Sequence, residues 1–465
     1  MSTQRSDALT LAEKLAEIRI DNISPRALKV ARAGIIDTIG VTLLGSLEPP
    51  TVVLKKALAG GISPGEALMF GTDRRVGMLD AALVNGTASH AADYDDMAHA
   101  MGGHPSVTLV PVIMALGETL GSSGRQALEA YVVGFEAECR VGRVVNPHHY
   151  EKGWHPTSTI GVFGAAMAAA RMLQLDVQHT ATALAIAASL ANGVKANFGT
   201  MTKPLHVGHC ARNGLFAAQL ANSGFTANLD ALESKQGFFA AFDGLENVDR
   251  GRMLDDWGVL LEAEQESVGL KQYPCCGSTH AAIRAMLELV GRGLKPENVA
   301  SIEIKANRRR LPHTNNPDPQ SPLAAKFSIQ YVTARSLVDG AVRLHHFEND
   351  AYVEPKVREL IARTSLAAFP KTANAGTHEE ENEFAADVTV VTKDGRTMVG
   401  SVPHALGRGG ANPMSDHEMW EKFSDCATRL LPAAQVADGF EALQRIDQCA
   451  NLSEITKMLE AGSRS

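Results

Sequence analysis

The stretch from Thr159 to Gly193 most constrains what this chain can fold into. It reads TIGVFGAAMAAARMLQL and, after a short polar break, TATALAIAASLANG, two helical segments built largely of Ala and Gly. Small side chains let helix backbones approach closely, so these segments predict the centre of a tightly packed helical core. They are not bilayer spans. No run of about 18 apolar residues free of charge occurs, so no membrane partner is expected. Helical spacing also covers Ala8 to Leu47, with Ser24-Pro25 marking a start inside it, and continues through VTLVPVIMALGETLG and RQALEAYVVGFEAECRVGRVV.

Period-two patterning is confined to a later region. VASIEIKA (299–306) alternates as a half-exposed strand does, and FAADVTVVTKDGRTMVGSVP reads as two strands about the turn Lys393-Asp394-Gly395. Between them AKFSIQYVTARSLVDGAV and Tyr352 to Ser365 read as helices. From Pro413 the chain is helical again, opening at Ser415. The fold class is therefore mainly α. A large all-helical domain over 1–267, completed by 403–465, is expected beside a smaller α+β domain over 268–402.

Composition narrows the partners. With 465 residues, 45% of them hydrophobic, the chain has material for a large core. A net charge of −8 gives no basic footprint, so nucleic acid is not an expected partner. The opening MSTQRSDALTLAEKLAEIRID reads as an amphipathic helix and not as a leader, and a cytoplasmic location follows as an expectation. The six cysteines include no C-x-x-C, which argues against a zinc ribbon, a tightly spaced iron–sulfur cluster or a disulfide framework.

The chemistry-bearing residues gather in three segments. HAADYDDMAHAMGGHPS (90–106) holds Asp93, Asp95, Asp96, His90, His99 and His104, and Pro105 suits the first turn of a helix. His104 is thus expected at a helix N-terminus, where free N–H groups can hold a substrate carboxylate. Gly153-Trp154-His155-Pro156-Thr157-Ser158 repeats that logic, so His104 and His155 are expected to face one cavity. GTMTKPLHVGHCARN (199–213) sets Lys203, His206, His209 and Arg212 three residues apart, a cationic stripe suited to a polycarboxylate. His206-x-x-His209 has no accompanying Glu or Cys motif, so no metal is expected there. His148, His149 and Tyr150 read as a solvated loop, and Cys275 and Cys276 as packed thiols.

Taken in order, HAADYDD…GGHPS, GWHPTSTIGVFGAA, MTKPLHVGHCARNG, KQYPCC and AKFSIQY resemble the MmgE/PrpD family over nearly the whole chain. That family contains 2-methylcitrate dehydratases, cis-aconitate decarboxylases and an iminodisuccinate epimerase. The resemblance implies a helical domain with an α+β lid, a homodimer, a site in the cleft between domains, and no metal or organic cofactor. It also implies a site made of Asp93, His104, His155, Lys203 and Tyr331, with Lys271 nearby. Two positions depart from the decarboxylase-like pattern: Met97 stands where Thr is usual, and Cys276 where His is usual.

All three activities create or quench a carbanion beside a carboxylate, which requires a base at carbon and cations or N–H donors for the developing charge. His104 and His155 are the expected acid/base pair, since imidazole titrates near working pH. Lys203 and Lys271 are expected to clamp carboxylates, Asp93 to orient or charge a histidine, and Tyr331 to donate a hydroxyl proton. His206, Met97 and Cys276 are expected to contact the substrate. A 2-methylcitrate dehydratase-like lyase is the leading expectation, because Met97 and Cys276 leave the decarboxylase-like pocket. An iminodisuccinate-type epimerase with two opposed bases, or a cis-aconitate decarboxylase, is the alternative.

Overall fold

The computed structural model describes residues 5–265, 268–370, 384–403, 408–409 and 413–462. The chain forms two compact units, Met1–Leu270 with Gly409–Ser465, and Lys271–Arg408. Residues 266 and 267, at the boundary expected from the sequence, lie outside the described residues.

In the first unit the long helices are α1 (Asp7–Ala16), α2 (Pro25–Gly45), α3 (Pro49–Leu58), α4 (Met78–Ala91), α5 (Ser106–Leu120) and α6 (Gly124–Val145). After the short α7 (His148–Lys152) and α8 (Pro156–Thr159) come α9 (Gly161–Met172), α10 (Val177–Leu190), α11 (Thr202–Asn222) and the short α12 (Phe238–Phe242). Local chemistry sets the starts. The Ser24 hydroxyl accepts the Ala27 N–H ahead of Pro25, and Ser123 and Gln126 close a reciprocal capping box on α6.

The core forms where small residues let helices touch. A Cβ on Gly134 of α6 would sit 2.9 Å from the Gly164 carbonyl oxygen of α9, and the reverse substitution meets the Gly134 carbonyl at the same distance. The α4–α11 crossing is closer still. A Cβ on Gly86 would lie 3.0 Å from Gly208 Cα, while one on Gly208 would collide with Thr87 Oγ1 and the Leu83 carbonyl oxygen. This crossing matters for function because His90 lies one turn beyond Gly86, and His206 and Lys203 lie toward the start of α11.

The larger unit is not wholly helical. Strands β1 (Pro64–Leu68) and β2 (Arg75–Val76) form an antiparallel ladder, and β3 (Met97–Ala98) pairs antiparallel with β4 (Val268–Leu270). The C-terminal segment packs on α2 through the helix Asp416–Ala427, capped by Ser415 as its sequence suggests. There Lys422 forms a buried ion pair with Asp37 at 2.6 Å and donates to the Tyr94 carbonyl oxygen at 2.8 Å, tying down the acidic loop after α4. No single helix among the described residues is long and apolar enough to cross a membrane.

The second unit carries a four-stranded sheet ordered β6 (Thr364–Ala368), β5 (Val299–Ala306), β7 (Ala386–Thr392), β8 (Thr397–Val402). Helices α13 (His280–Gly291) and α14 (Ile329–Asp339) pack together, with α13 against β7 and β8. The β7–β8 hairpin turns at Gly395 with φ +85°, as Asp-Gly predicts. The helix expected over Tyr352 to Ser365 ends at Ile361, and Thr364–Ala368 instead pairs parallel to β5. Its sequence, TSLAA, has neither alternation nor β-branched density, so pairing with an existing strand decides its conformation.

Replacing Gly208 by Ala should destabilise the fold by about 1–3 kcal/mol, because the added carbon meets backbone and not a yielding side chain. Urea unfolding midpoints at unchanged slope will measure this. A gain in stability, as helix propensity alone would give, would show that the two helices are free to separate.

Candidate active site

His90 occupies the buried end of α4, and the chain then reverses through Asp93, whose φ of +53° is left-handed. The reversal buries Asp95 and Asp96 completely or nearly so. Asp95 Oδ2 lies 2.8 Å from His90 Nδ1 and 2.9 Å from His104 Nδ1. His104 Nδ1 also lies 2.8 Å from the Asp96 carbonyl oxygen. A carbonyl can only accept, so His104 Nδ1 carries a proton, and the neutral ring keeps its lone pair on Nε2. The carboxylate enforces the same tautomer on His90.

The two Gly-x-His-Pro or Gly-His-Pro segments do come together. The His104 N–H donates to Thr157 Oγ1 at 3.2 Å, and a Cβ on Gly103 would lie 2.8 Å from the Thr157 nitrogen. The His90 ring joins them, with its centroid 4.7 Å from that of His104 and 5.8 Å from that of His155. His155 Nδ1 is 3.2 Å from His206 Nδ1, so one ring donates and the other accepts. Phe198 packs edge-on against His155, and Lys203 Nζ stands 5.3 Å from the Phe198 ring centre. Lys203 Nζ pairs with Asp93 Oδ1 at 2.7 Å. Four imidazoles, two cation-handling carboxylates and one lysine thus share one cluster within the first unit.

Burial dominates its electrostatics. Removal from water lowers the His90 pKa to about 4, against the pull of Asp95 and with further push from Lys203. His155 is held well below the usual imidazole range by burial, then by His90, Lys203, His104 and His206. His206 is lowered for the same first reason. Burial pushes Asp95 up, but His90 and His104 outweigh it and keep this carboxyl well below its usual range. Burial raises Asp96 to about 7, opposed by its hydrogen bonds to Ser106. Asp95 is thus a buried anion close to the neutral rings of His90 and His155.

Several expected roles change. Asp93 pairs with Lys203, and the carboxylate that lies against the His90 and His104 rings is Asp95. The first N–H of α5 is not open to a substrate carboxylate, since Asp96 Oδ1 accepts it at 3.1 Å and Asp96 Oδ2 accepts the Ser106 hydroxyl at 2.6 Å. The cationic stripe also divides. Arg212 is exposed while His206 is buried, because nine residues at 100° each put Arg212 on the face opposite Lys203. His149 is no solvated loop residue. It is fully buried, with Nδ1 2.7 Å from Asp243 Oδ2, Nε2 2.7 Å from Thr159 Oγ1, and its ring stacked on Trp154 and Phe242.

Met97 is half-buried in β3. Lys271, Cys276 and Tyr331 belong to the second unit, where Lys271 is buried and Cys276 is half-buried. The Cys276 N–H donates to the Lys326 carbonyl oxygen at 3.0 Å. Cys275 is a packed thiol, pushed up to about 12 by burial. Tyr331 departs from its expected role as a proton donor. Its hydroxyl is buried on α14 and spends its single proton on the His346 carbonyl oxygen, while Arg335 Nε donates to it at 3.1 Å. His90, Asp95 and His104 each offer a ligand atom within 4.8 Å of the others, close enough to surround one cation. The 2.8 and 2.9 Å separations are nevertheless those of hydrogen bonds, and the trio reads as a proton-sharing group.

Residues 9–250 match the MmgE/PrpD N-terminal domain, and residues 273–448 match the MmgE/PrpD C-terminal domain. The chain belongs to the MmgE/PrpD family. It is similar to the cis-aconitate decarboxylase of Homo sapiens, 30% identical over 98% of this chain and 94% of that protein. The Mus musculus cis-aconitate decarboxylase is 29% identical over 96% of this chain and 92% of its own length. One from Aspergillus terreus is 24% identical over 97% and 95%. Membership and these relatives make this MmgE/PrpD protein an enzyme of the lyase kind.

The buried neutral state of His90 has a consequence for acid stability. The unfolded chain protonates this ring near pH 6.5, but the folded chain holds it neutral down to about pH 4. The folded state binds fewer protons in that window, so stability complete above the unfolded value falls with pH, by about 3 kcal/mol at this site. Urea midpoints from pH 7.5 to 4.5 should show the loss, and His90→Gln should flatten it. An unchanged slope in the variant would disprove the assignment.

Proposed function

We propose that this enzyme is a lyase for a small tri- or dicarboxylate and that dehydration of a citrate-like hydroxy acid is its reaction. The observation that carries the reading is the His104 ring, whose Nδ1–H is held by Asp95 and the Asp96 carbonyl oxygen, so that the neutral ring is a base at Nε2. His104 takes the proton from the carbon alpha to a carboxylate, the carbon–oxygen bond breaks, and the departing hydroxide leaves as water with a proton that the His155–His206 pair has first taken up from solvent as the anionic substrate binds. Lys203 steadies the carboxylate that bears the developing charge, sharing its attraction with Asp93. A homodimer in the cytoplasm belongs to the same proposal.

Cis-aconitate decarboxylation is the second reading, favoured by the activity for which relatives aligned along almost their whole length are named. There the carbon–carbon bond breaks first, and the site must then give a proton to carbon. Dehydration is favoured by Met97 and Cys276, two positions of the sequence that depart from the decarboxylase-like pattern.

Proton NMR in D2O with 2-methylcitrate, cis-aconitate and iminodisuccinate in separate tubes tests the readings. Loss of water from methylcitrate supports dehydration, and loss of CO2 from cis-aconitate supports the second reading. Deuterium entering iminodisuccinate with inversion, and neither elimination, would replace both with an epimerase. On the active acid, His104→Gln should lower kcat at least ~100-fold, and Lys203→Met should act mainly on KM. Turnover should survive exhaustive chelation; loss restored by added metal would overturn the proton-only scheme.

A further inference from the structure

Asp95 is the structural centre of the cluster, yet nothing in the proposed chemistry requires it to touch substrate. We infer that Asp95, braced by His90, is the positioning anion that sets the basicity of His104, and that the Asp96 carbonyl sets the His104 tautomer separately. This inference rests on the reading of His104 as the base.

The geometry separates the two tasks. Asp95 Oδ2 and the Asp96 carbonyl oxygen both face His104 Nδ1, at 2.9 and 2.8 Å. Either acceptor alone is enough to keep the proton on Nδ1. Only the carboxylate carries a charge, so only Asp95 stabilises the imidazolium that forms when Nε2 takes a proton from carbon. His90 supplies the brace. Its Nδ1 lies 2.8 Å from the same Oδ2, and its Nε2 and Asp95 Oδ1 are buried with no hydrogen-bond partner among the described residues. The ring is confined between His104 and His155, so it fixes the carboxylate from behind. It does so with a hydrogen bond and no charge, which leaves the charge of Asp95 to His104.

The other charged or titratable groups around His104 have defined positions. Asp96 turns its carboxylate to Ser106 and has Asp37 of α2 behind it, His155 stands at the start of α8, and Lys203 and His206 lie on α11, with Asp93 paired to Lys203. None of these replaces Asp95 at Nδ1.

The test uses the full chain, Asp95→Asn, and histidine nitrogen NMR with His104→Gln for assignment. In the wild type His104 should show a protonated Nδ1 and a bare Nε2 at pH 7.5. In Asp95→Asn the tautomer should persist, kcat should fall ~10–100-fold with KM little changed, and the acid limb of kcat/KM should move about one unit to lower pH. A simple loss of structure would not move that limb. An Nε2-protonated His104 in the wild type, an unmoved acid limb, or a loss confined to KM would overturn the inference. If Asp95→Asn does not fold, the wild-type tautomer decides, and an Nε2-protonated His104 overturns the inference. Absence of turnover on every acid, with the NMR result intact, would count against the proposed reaction and not against the tautomer assignment.

Discussion

The backbone contact between Gly86 and Gly208 underlies everything else in the larger unit. Helices normally pack 8–10 Å apart because side chains intervene. Here the crossing is lined with glycines, and the close approach carries the end of one helix past the start of the other. His90 arrives on one, and Lys203 and His206 on the other. The repeated His-Pro segments then close against each other through His104 and Thr157. A larger residue at the crossing would separate these groups even though it touches none of them.

That proximity carries an electrostatic cost which the cluster answers in a particular way. Burial disfavours charge on His90, His155 and His206, and the nearby lysine adds to it. A single buried carboxylate would be costly by itself, but two Nδ1–H donors satisfy Asp95 Oδ2. The outer carboxylates are tied elsewhere, Asp96 to Ser106 at the head of α5 and Asp93 to Lys203. The C-terminal helix holds the same loop through Lys422 and the Tyr94 carbonyl oxygen. Distant parts of the first unit thus fix where one negative charge sits.

The sequence reveals much of this and hides the rest for identifiable reasons. Helical periodicity and the Ser-Pro and Ser-x-x-Glu starts mark α2 and the helix Asp416–Ala427, and Asp-Gly marks the β7–β8 turn, because those signals are local. The strand Thr364–Ala368 carries no such signal, since its state is decided by β5. His104, His155, Lys203 and His206 stand out as motifs, and the structure brings them together. His90 and Asp95 do not stand out individually. Among three aspartates in four residues, which one binds histidine and which one lysine depends on the left-handed turn at Asp93, and nothing in the local pattern announces it. Arg212 fails in the opposite sense: regular spacing of three suggests one face, but the accumulated 60° drift per step carries it around the helix.

On the proposed reading, the neutral rings are a property of the enzyme before substrate binds. A polycarboxylate brings negative charge into a site of low dielectric, where attraction to nearby imidazoles is stronger than in water. Binding therefore raises the proton affinity of the rings that burial keeps neutral. His155 and His206 are such rings, sharing one Nδ1 contact between them, whereas His90 and His104 already face Asp95. The arrangement divides the histidines by task. On this reading the charge of the substrate brings in the proton that the His155–His206 pair delivers, while Asp95 supports the imidazolium that His104 becomes.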